Sequence, residues 1–370
     1  MTNVLVVNAG SSSLKVSLIG ANDVELASHE FTASAGRFKR SQLEGAIRGM
    51  EGVQAVGHRV VHSGPRYSAS VSIDARSVAY LRSIIDLAPL HMPAAISGIL
   101  AVRRLLPKTP AFACFDTSFH SNMPAPATTY AIPAIWRQRH GIKRYGFHGF
   151  SHAYSARRAS ELLARPNSEL RVVTCHLGSG SSLAAVHAGR SVDTTMGFTP
   201  LEGLVMATRS GTVDPGLMLW LQRKQHVSER ELTDALDGRS GLLALAGTKD
   251  MREVVERRSA KDERAVLAFD VYIHRLRSYI ASMAAAMNGL DALVFTGGVG
   301  ENSATVRAEA ASGLRFIGVE LDAKLNSTVK GDADISAKGV QVRTLVVRAR
   351  EDVEVARDVR RWLAESGQRI

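Results

Sequence analysis

A glycine- and serine-rich turn between two short apolar runs stands near the N-terminus, in residues 4–18, VLVVNAGSSSLKVSL. The second run, from Leu14 to Leu18, alternates apolar with polar or small residues at the period of a strand. The turn is therefore predicted to join two antiparallel strands, which excludes a Walker A loop, since that motif opens a helix. Gly10 permits close approach of a ligand to the backbone, and Lys15 adds a cation, so the turn is a candidate phosphate site.

The same pattern returns in the middle of the chain, in residues 170–186, LRVVTCHLGSGSSLAAV. One Gly/Ser hairpin is also typical of an ordinary turn, but two in corresponding halves favour a duplicated domain that holds a ligand's phosphates between its copies. A third glycine-rich segment occupies residues 293–302, LVFTGGVGEN. It predicts a buried strand, a glycine loop and then a helix over 303–312, the element order of a nucleotide site.

Composition favours a soluble intracellular enzyme. The chain has 370 residues, 45% of them hydrophobic, which is enough for two domains with their own cores. Only two cysteines are present, which argues against a disulfide framework and fits a reducing, cytoplasmic compartment. No apolar run approaches the roughly 20 residues that a membrane-spanning helix needs. The formal charge of +11 comes from scattered short basic groups without aromatic interleaving, so a nucleic-acid partner is not expected.

Alternating periodicities along the chain predict mixed sheets covered by helices. The predicted strands lie at 53–61, 111–115, 293–295 and 341–347. The predicted helices lie at 77–85, 94–106, 229–236, 249–258 and 262–287. A proline-rich crossing at residues 123–126 is the best candidate for a hinge, because no low-complexity linker separates the halves.

Four polar side chains stand at predicted strand ends or in loops, where chemistry is usually placed. Arg59 ends a strand beside a glycine turn and is suited to clamp a carboxylate or a phosphate through two hydrogen bonds. Asp116 follows an apolar strand, in a position to orient a magnesium ion or to assist proton transfer. Two glycines frame His148, and Arg209 lies in a turn-rich stretch.

These motifs resemble those of the acetate kinase family, a member of the superfamily that contains sugar kinases, actin and the heat-shock ATPase chaperones. The matching segments keep their order over nearly the whole chain, at residues 8–15, 58–64, 88–91, 115–120, 144–152, 176–182, 196–211 and 295–303. The resemblance implies two duplicated RNase H-like domains of actin-like ATPase type with the active site in the cleft between them. Their expected bounds are 1–120 plus 353–370 and 121–352, with a homodimer as the assembly.

The resemblance also implies roles for individual residues. The expected catalytic residues are Asp116, His148 and Arg209. The expected acyl-binding residues are Arg59 and the apolar pocket of Val61, Leu90, Phe147 and Pro200. The expected ATP-binding residues are Lys15, His176, Leu177, Gly178, Ser179, Gly180, Asp250, Met251, Arg252, Gly298, Val299, Gly300, Glu301 and Asn302. The expected ligands of Mg²⁺, or of Mn²⁺ in its place, are Asn8 and Glu351.

The implied reaction transfers the γ-phosphate of ATP to acetate, giving acetyl phosphate and ADP. Because both reactants are anionic, alignment and charge neutralisation are expected to carry catalysis, with direct in-line transfer. Acetate is already ionised at neutral pH, so Asp116 is expected to orient the metal rather than to act as a base. A propionate or butyrate kinase is the first alternative, and a non-catalytic ATP-binding module is the second.

The sequence departs from the family's pattern at three positions. Ser179 stands where asparagine is usual in a phosphate-contacting turn. Pro65 replaces part of a Gly-Gly-Glu segment beside Arg59. Arg350 replaces the asparagine that precedes Glu351, where we expect its charge to compete with Mg²⁺ for the carboxylate. Outside the motifs, Asp214 before Pro215 is interpreted as a helix cap.

Overall fold

The computed structural model describes residues 2–9, 13–32 and 40–367 of the chain. The phosphate-turn prediction at Gly10, Ser11 and Ser12 therefore falls outside the described residues. The chain forms two compact units. The first contains the described residues up to Ser121 together with Phe147–Tyr154 and the described residues from Arg350 onward, and the second contains Asn122–Gly146 and Ser155–Ala349. The domain bounds expected from the sequence stay a prediction, because compactness does not test independent folding.

The elements alternate between strands and helices along the chain. The strands are β1 (Val4–Ala9), β2 (Ser13–Ile19), β3 (Glu25–Thr32), β4 (Ala55–Val60), β5 (Val71–Ser72), β6 (Ala111–Phe115), β7 (Arg171–Leu177), β8 (Ser181–His187), β9 (Arg190–Thr194), β10 (Ala292–Thr296), β11 (Ala333–Asp334) and β12 (Arg343–Val346). The helices are α1 (Arg40–Arg48), α2 (Ala75–Ser83), α3 (Met92–Leu105), α4 (Ala125–Thr128), α5 (Ala134–His140), α6 (Gly149–Leu163), α7 (Pro215–Gln225), α8 (Glu229–Gly238), α9 (Gly241–Ala246), α10 (Met251–Ser259), α11 (Glu263–Ala286), α12 (Gly297–Asn302), α13 (Ala304–Ser312), α14 (Ala323–Thr328) and α15 (Glu351–Ser366). Short 3₁₀ turns lie at Ala21–Asp23, Ile85–Leu87, Ser118–His120, Asn167–Glu169 and Arg315–Ile317.

The first unit is built on one mixed sheet with strand order β3-β2-β1-β4-β6-β5. The hairpin partners β1 and β2 are antiparallel, as predicted, and β1, β4 and β6 run parallel to one another. Because side chains alternate across a strand, β1 contributes to two cores. Val4 and Val6 pack with α15, whereas Leu5 and Val7 pack in the core that contains residues of α1 and α3. The carboxyl ends of β1, β4 and β6 thus meet at one edge, where polar residues follow.

The second unit repeats this topology with strand order β9-β8-β7-β10-β12-β11. Here β7 and β8 are antiparallel, and β7, β10 and β12 run parallel. The long helix α11 packs on the sheet through an apolar stripe that includes Phe269, Ile273 and Leu276. The repeated order confirms the duplicated α/β fold that the two Gly/Ser hairpins predicted.

One helix boundary and one predicted loop differ from the sequence-based predictions for identifiable reasons. Helix α2 begins at Ala75 rather than at Ser77, because Asp74 caps it by accepting a hydrogen bond from the Ser77 amide at 2.6 Å. The predicted glycine loop after β10 is the short helix α12 instead, although glycine disfavours helices. Its first amide, that of Gly297, donates to the Glu301 carboxylate at 2.9 Å, and this bond stabilises the turn. Asp214 caps α7, as predicted, through the Gly216 amide at 2.8 Å.

Candidate active site

The edge where β4 and β6 end carries a bidentate ion pair between Arg59 and Asp116. The guanidinium Nε and Nη2 of Arg59 donate to the two carboxylate oxygens of Asp116 at 2.8 and 2.6 Å. The Arg59 side chain is 15% exposed and that of Asp116 only 1%. Parallel pairing of β4 and β6 brings the two residues together, because the two strands end at the same edge of the sheet. Arg59 lies next to the last residue of β4, and Asp116 directly follows β6. Both oxygens of Asp116 are thus engaged by a single arginine.

The remaining terminal nitrogen of Arg59 contacts two further predicted site residues. Nη1 lies 3.1 Å from the side-chain oxygen of Asn8 and 3.2 Å from Oε2 of Glu351. Asn8 is the strand partner of Arg59 across β1 and β4, and Glu351 is the first residue of α15. Burial lowers the pKa of Arg59, but the charges of Asp116 and Glu351 outweigh it and raise the pKa above its usual range. Arg59 is therefore a permanent cation, held by Asp116 on one side and facing Asn8 and Glu351 on the other.

Asn8 and Glu351 fit the donor chemistry of Mg²⁺. In the described part of the chain, no group of three or more His, Cys, Asp and Glu side chains forms a metal cluster. Mg²⁺ is commonly bound through one or two protein oxygens, with waters and substrate phosphates completing the shell. The side-chain oxygens of Asn8 and Glu351 already converge on one positive group, the Nη1 of Arg59. This donor set is suited to a hard cation.

The predicted ATP lysine, Lys15, is paired with a carboxylate that the sequence did not single out. Its Nζ lies 3.3 Å from Asp352, whose other oxygen accepts from Nε of Arg350 at 3.0 Å. Burial raises the pKa of Asp352, but the charges of Lys15 and Arg350 outweigh it and lower the pKa. Arg350 also lies 3.6 Å from Glu25. The expectation that Arg350 competes for Glu351 is wrong: its ion pairs are with Asp352 and Glu25, and the cation beside Glu351 is Arg59.

His148 stands immediately before α6 with a left-handed backbone, φ 55°, which is unusual outside glycine. Two hydrogen bonds hold its neighbours: the Phe147 carbonyl pairs with His120 Nε2 at 3.1 Å, and the Gly149 amide donates to the Asp116 carbonyl at 3.0 Å. A Cβ at Gly149 would overlap that carbonyl, so only glycine permits this approach. Burial lowers the pKa of His120 to about 4, which keeps it neutral. The segment that carries His148 is thereby fixed against the loop after β6.

The predicted apolar pocket residues differ in their surroundings. Phe147 is buried and meets the His62 ring edge-on at 5.4 Å between centroids. Val61 is partly buried beside the core under α2 and α3, and Leu90 is half exposed before α3. All three belong to the first unit, whereas Pro200 belongs to the second. Their role in acyl binding stays a prediction.

In the second unit, Arg209 is a largely buried cation. Its side chain is 14% exposed, its Nη1 donates to the Pro200 carbonyl at 3.3 Å, and its Nε lies 3.9 Å from Asp237. Burial lowers the pKa of Arg209, and the charge of Asp237 opposes the shift. Arg209 is thus bound to a backbone carbonyl of the segment that contains Pro200.

The predicted nucleotide segments lie at strand ends and helix starts of the second unit. His176 and Leu177 end β7, and Gly178–Gly180 form the turn to β8, where the Gly178 amide donates to the Gly180 carbonyl at 3.0 Å. Asp250 caps α10, which begins with Met251 and Arg252. Gly298, Val299, Gly300, Glu301 and Asn302 lie in α12. Ser179, the departure from the family pattern, is exposed at the tip of its turn.

Sequence reasoning missed two residues of these networks. Asp352 lies directly after Glu351, and the acidic pair at the start of the last helix was an available signal. Glu202 pairs with Arg144 at 2.7 Å, but nothing in the local pattern around either residue indicates that contact.

Both units have one topology, a mixed sheet with antiparallel hairpin strands on one side and parallel strands in the middle. This is the two-domain α/β, actin-like ATPase fold, and its strand ends carry paired arginine, carboxylate and asparagine side chains. The family model described as the acetokinase family matches residues 23–357. The chain belongs to the acetokinase family.

Individual relatives agree with this assignment. A protein named acetate kinase from Carboxydothermus hydrogenoformans is 46% identical over 314 residues, covering 85% of this chain and 79% of the relative. The crystal structure of a propionate kinase from Francisella tularensis matches with a TM-score of 0.89 at 36% identity, over 97% of this chain and 99% of that one. The acetate kinase of Porphyromonas gingivalis matches with a TM-score of 0.87 at 34% identity, over 98% and 100%.

None of the helices in the described residues combines the length and apolarity needed to cross a membrane.

Proposed function

We propose that this protein is an acetate kinase, which reversibly converts ATP and acetate into ADP and acetyl phosphate. Family membership supports the reaction class. The observation that carries the proposal is the arrangement around the Arg59 guanidinium. Both carboxylate oxygens of Asp116 accept hydrogen bonds from Arg59, and the Nη1 of Arg59 faces Asn8 and Glu351. A permanent cation held in this way at the edge of a sheet is suited to bind a carboxylate substrate.

In the forward reaction, an oxygen of acetate forms a bond to the γ-phosphorus of ATP, and the bond from that phosphorus to the bridging oxygen breaks as ADP leaves. Acetate is ionised at neutral pH, so no base is needed. The problem is charge, because an anion must approach an anion. In the proposal Arg59 binds acetate, and Arg209 and His148 stabilise the transferring phosphoryl group in a direct in-line displacement.

The proposal assigns Asp116 a role through Arg59. A carboxylate whose oxygens both accept from one guanidinium fixes the orientation of that guanidinium. Asn8 and Glu351 are the residues that would hold Mg²⁺, or Mn²⁺, which when bound neutralises phosphate charge. Lys15 and the segments His176–Gly180, Asp250–Arg252 and Gly298–Asn302 are assigned to ATP.

The test is the formation of acyl phosphate by the purified protein, trapped with hydroxylamine as the hydroxamate. Wild type is compared with Arg59→Lys, which keeps the charge but loses the fork. Arg171→Lys is the matched control, because Arg171 grips Asp291 through Nε at 2.9 Å and Nη2 at 3.3 Å in the same bidentate manner. We expect a loss of at least about a hundredfold in kcat/KM for Arg59→Lys and little change for the control.

The choice of acid separates the candidate functions. Hydroxamate formed best from acetate supports the proposal. A preference for propionate or butyrate would keep the mechanism and change the substrate, a real alternative because one methylene is worth only about 1–3 kcal/mol of discrimination. ATP binding without any hydroxamate would refute the kinase function.

We further propose that the partner is a second copy of this chain. Helix α7 buries none of its side chains, and Leu217, Leu219 and Trp220 are each about half exposed, an unusual apolar surface for a monomer. Light scattering of wild type and Leu219→Glu tests this: a wild-type dimer that the substitution weakens is expected, and a wild-type monomer would refute it.

A cytoplasmic location agrees with the two cysteines, Cys114 and Cys175, both free and buried.

A further inference from the structure

A hydrogen-bonded chain of three side chains lies in the second unit, away from the predicted nucleotide segments in sequence. The Tyr130 hydroxyl lies 2.5 Å from one carboxylate oxygen of Glu202, and the other oxygen accepts from Arg144 Nη2 at 2.7 Å. The Tyr130 hydroxyl also accepts a hydrogen bond from the Phe198 amide at 2.9 Å. The hydroxyl thus donates one hydrogen bond and accepts another, and it links a charged pair to the backbone.

The same hydrogen-bonded network of three side chains holds the backbone of residues 194–202 at several points. Arg144 Nη1 donates to the carbonyls of Thr194 and Thr195 at 3.2 and 3.1 Å. The amide that follows, that of Tyr145, donates to the Gly197 carbonyl at 3.0 Å. A Cβ at Gly197 would overlap the Tyr130 hydroxyl and the Glu202 carboxylate, so the backbone lies directly against the network. The segment 194–202 is therefore fixed at its start, its middle and its end.

This segment contacts the predicted transition-state arginine. The carbonyl of Pro200, which lies between Phe198 and Glu202, accepts from Arg209 Nη1 at 3.3 Å. The carboxylate of Asp237 is more distant from Arg209, at 3.9 Å from Nε. The Pro200 carbonyl, one hydrogen-bond partner of the guanidinium, thus lies in the segment that Tyr130 and Glu202 hold.

We propose that Tyr130, Arg144 and Glu202 are positioning residues, which fix segment 194–202 and through the Pro200 carbonyl orient the Arg209 guanidinium for phosphoryl transfer. The inference rests on the proposed function for the role of Arg209. Small displacements of a group that stabilises a transition state cost rate more than substrate binding, since the group acts mainly on charge that develops during the reaction.

The first test compares Tyr130→Phe and Glu202→Gln with the matched control Asp332→Asn. Asp332 is a carboxylate in the same unit that pairs with Arg158 at 2.7 Å, so its substitution also removes one charge from an arginine pair. We expect kcat to fall by about tenfold in the two test variants, with KM for acetate and ATP within about twofold of wild type. The control is expected to keep wild-type kcat. Wild-type kcat in both test variants, or equal losses in all three, overturns the inference.

A double-mutant cycle asks whether Tyr130 acts through Arg209. Single-turnover rates are measured with enzyme in excess over ATP, so that slow variants remain measurable. In an Arg209→Lys background, Tyr130→Phe is expected to cost less than about threefold, because the group that it positions is already altered. Equal losses in both backgrounds would show that Tyr130 acts independently of Arg209 and would overturn the inference.

Amide hydrogen exchange gives a readout without turnover. In Tyr130→Phe, peptides covering residues 194–202 are expected to exchange faster than in wild type, while peptides of α11 are unchanged. Unchanged exchange in 194–202 overturns the positioning role. Inactive wild-type enzyme with the expected exchange pattern would instead refute the proposed function and leave the structural network intact, so the two failures are distinguishable.

Discussion

Replacing Asp116 by Asn removes the charge that holds Arg59 without changing the size of the side chain. Arg59 donates two hydrogen bonds to Asp116, at 2.8 and 2.6 Å, and the amide oxygen of asparagine can accept one of them. The amide nitrogen of asparagine is itself a donor, so it would face the second donor of Arg59 without forming a bond. Breaking a buried ion pair costs about 3–5 kcal/mol when the surviving charge has no other partner. Arg59 keeps Glu351 at 3.2 Å, so we expect the lower end, about 3 kcal/mol of unfolding free energy.

The same substitution is expected to impair turnover as well as folding. Once released, the guanidinium is free to turn towards Glu351 and away from the orientation that Asp116 imposes. A loss of about 3 kcal/mol in transition-state stabilisation corresponds to a fall of roughly a hundredfold in kcat/KM. The assays are urea unfolding monitored by circular dichroism and the hydroxamate assay with acetate.

Asp291→Asn is the matched control for this prediction. Asp291 is also gripped by an arginine fork, that of Arg171, but the arginine is 36% exposed. Its loss is expected to cost less than about 1 kcal/mol, because solvent screens the pair. If Asp116→Asn kept kcat/KM within about threefold of wild type, or lost no more stability than Asp291→Asn, the assignment of Asp116 as the residue that orients Arg59 would be refuted.

Further predictions concern pH, packing and one departure from the family pattern. Burial lowers the pKa of His58 to about 3 and that of His120 to about 4, so near pH 5 these two histidines bind protons only in the unfolded chain. The unfolding free energy measured in urea should therefore fall by about 2 kcal/mol per histidine between pH 8 and pH 5. An unfolding free energy that stays constant over this range would contradict the pKa shifts. Gly149→Ala is expected to lower the unfolding free energy by about 1–3 kcal/mol, despite the better helix propensity of alanine, and to lower kcat as well. A more stable variant would mean that the close approach of Gly149 to the Asp116 carbonyl is unimportant. Arg350→Asn should leave Lys15 as the remaining basic partner of the Asp352 carboxylate, which Lys15 and Arg350 now share. Steady-state kinetics should then show a changed KM for ATP and little effect on KM for acetate. A change confined to the KM for acetate would contradict this pairing.

Much of the fold follows from local sequence patterns. A continuous apolar run identifies β1, and the alternation of apolar with polar or small residues identifies β2, because side chains of a strand point to opposite faces. Repetition of the Gly/Ser hairpin indicates the duplication, and the structure confirms it as two sheets with the same strand order. The ends of helices were less predictable, since a cap such as Asp74 acts through a single side chain.

Local propensity failed at α12, where tertiary contacts decide the conformation. Glycine-rich residues 297–302 favour a loop, yet they form a helix. The Glu301 carboxylate accepts from the amides of Gly297 and Ala349 at 2.9 and 3.0 Å, and buried Arg307 donates to the Gly300 and Glu301 carbonyls, each at 2.8 Å. Contacts of this kind outweigh a propensity difference of about 1 kcal/mol per residue.

The sequence by itself determined that Asn8 and Asp116 follow apolar runs and that Arg59 lies in a polar stretch close to a glycine turn. Only the tertiary structure decided their partners. Arg59 meets Asp116 across 57 positions, and Asn8 meets Glu351 across 343. Such contacts are set by strand order and by the direction of each side chain, which no local period encodes. That is why Arg59, and not the adjacent Arg350, is the cation beside Glu351.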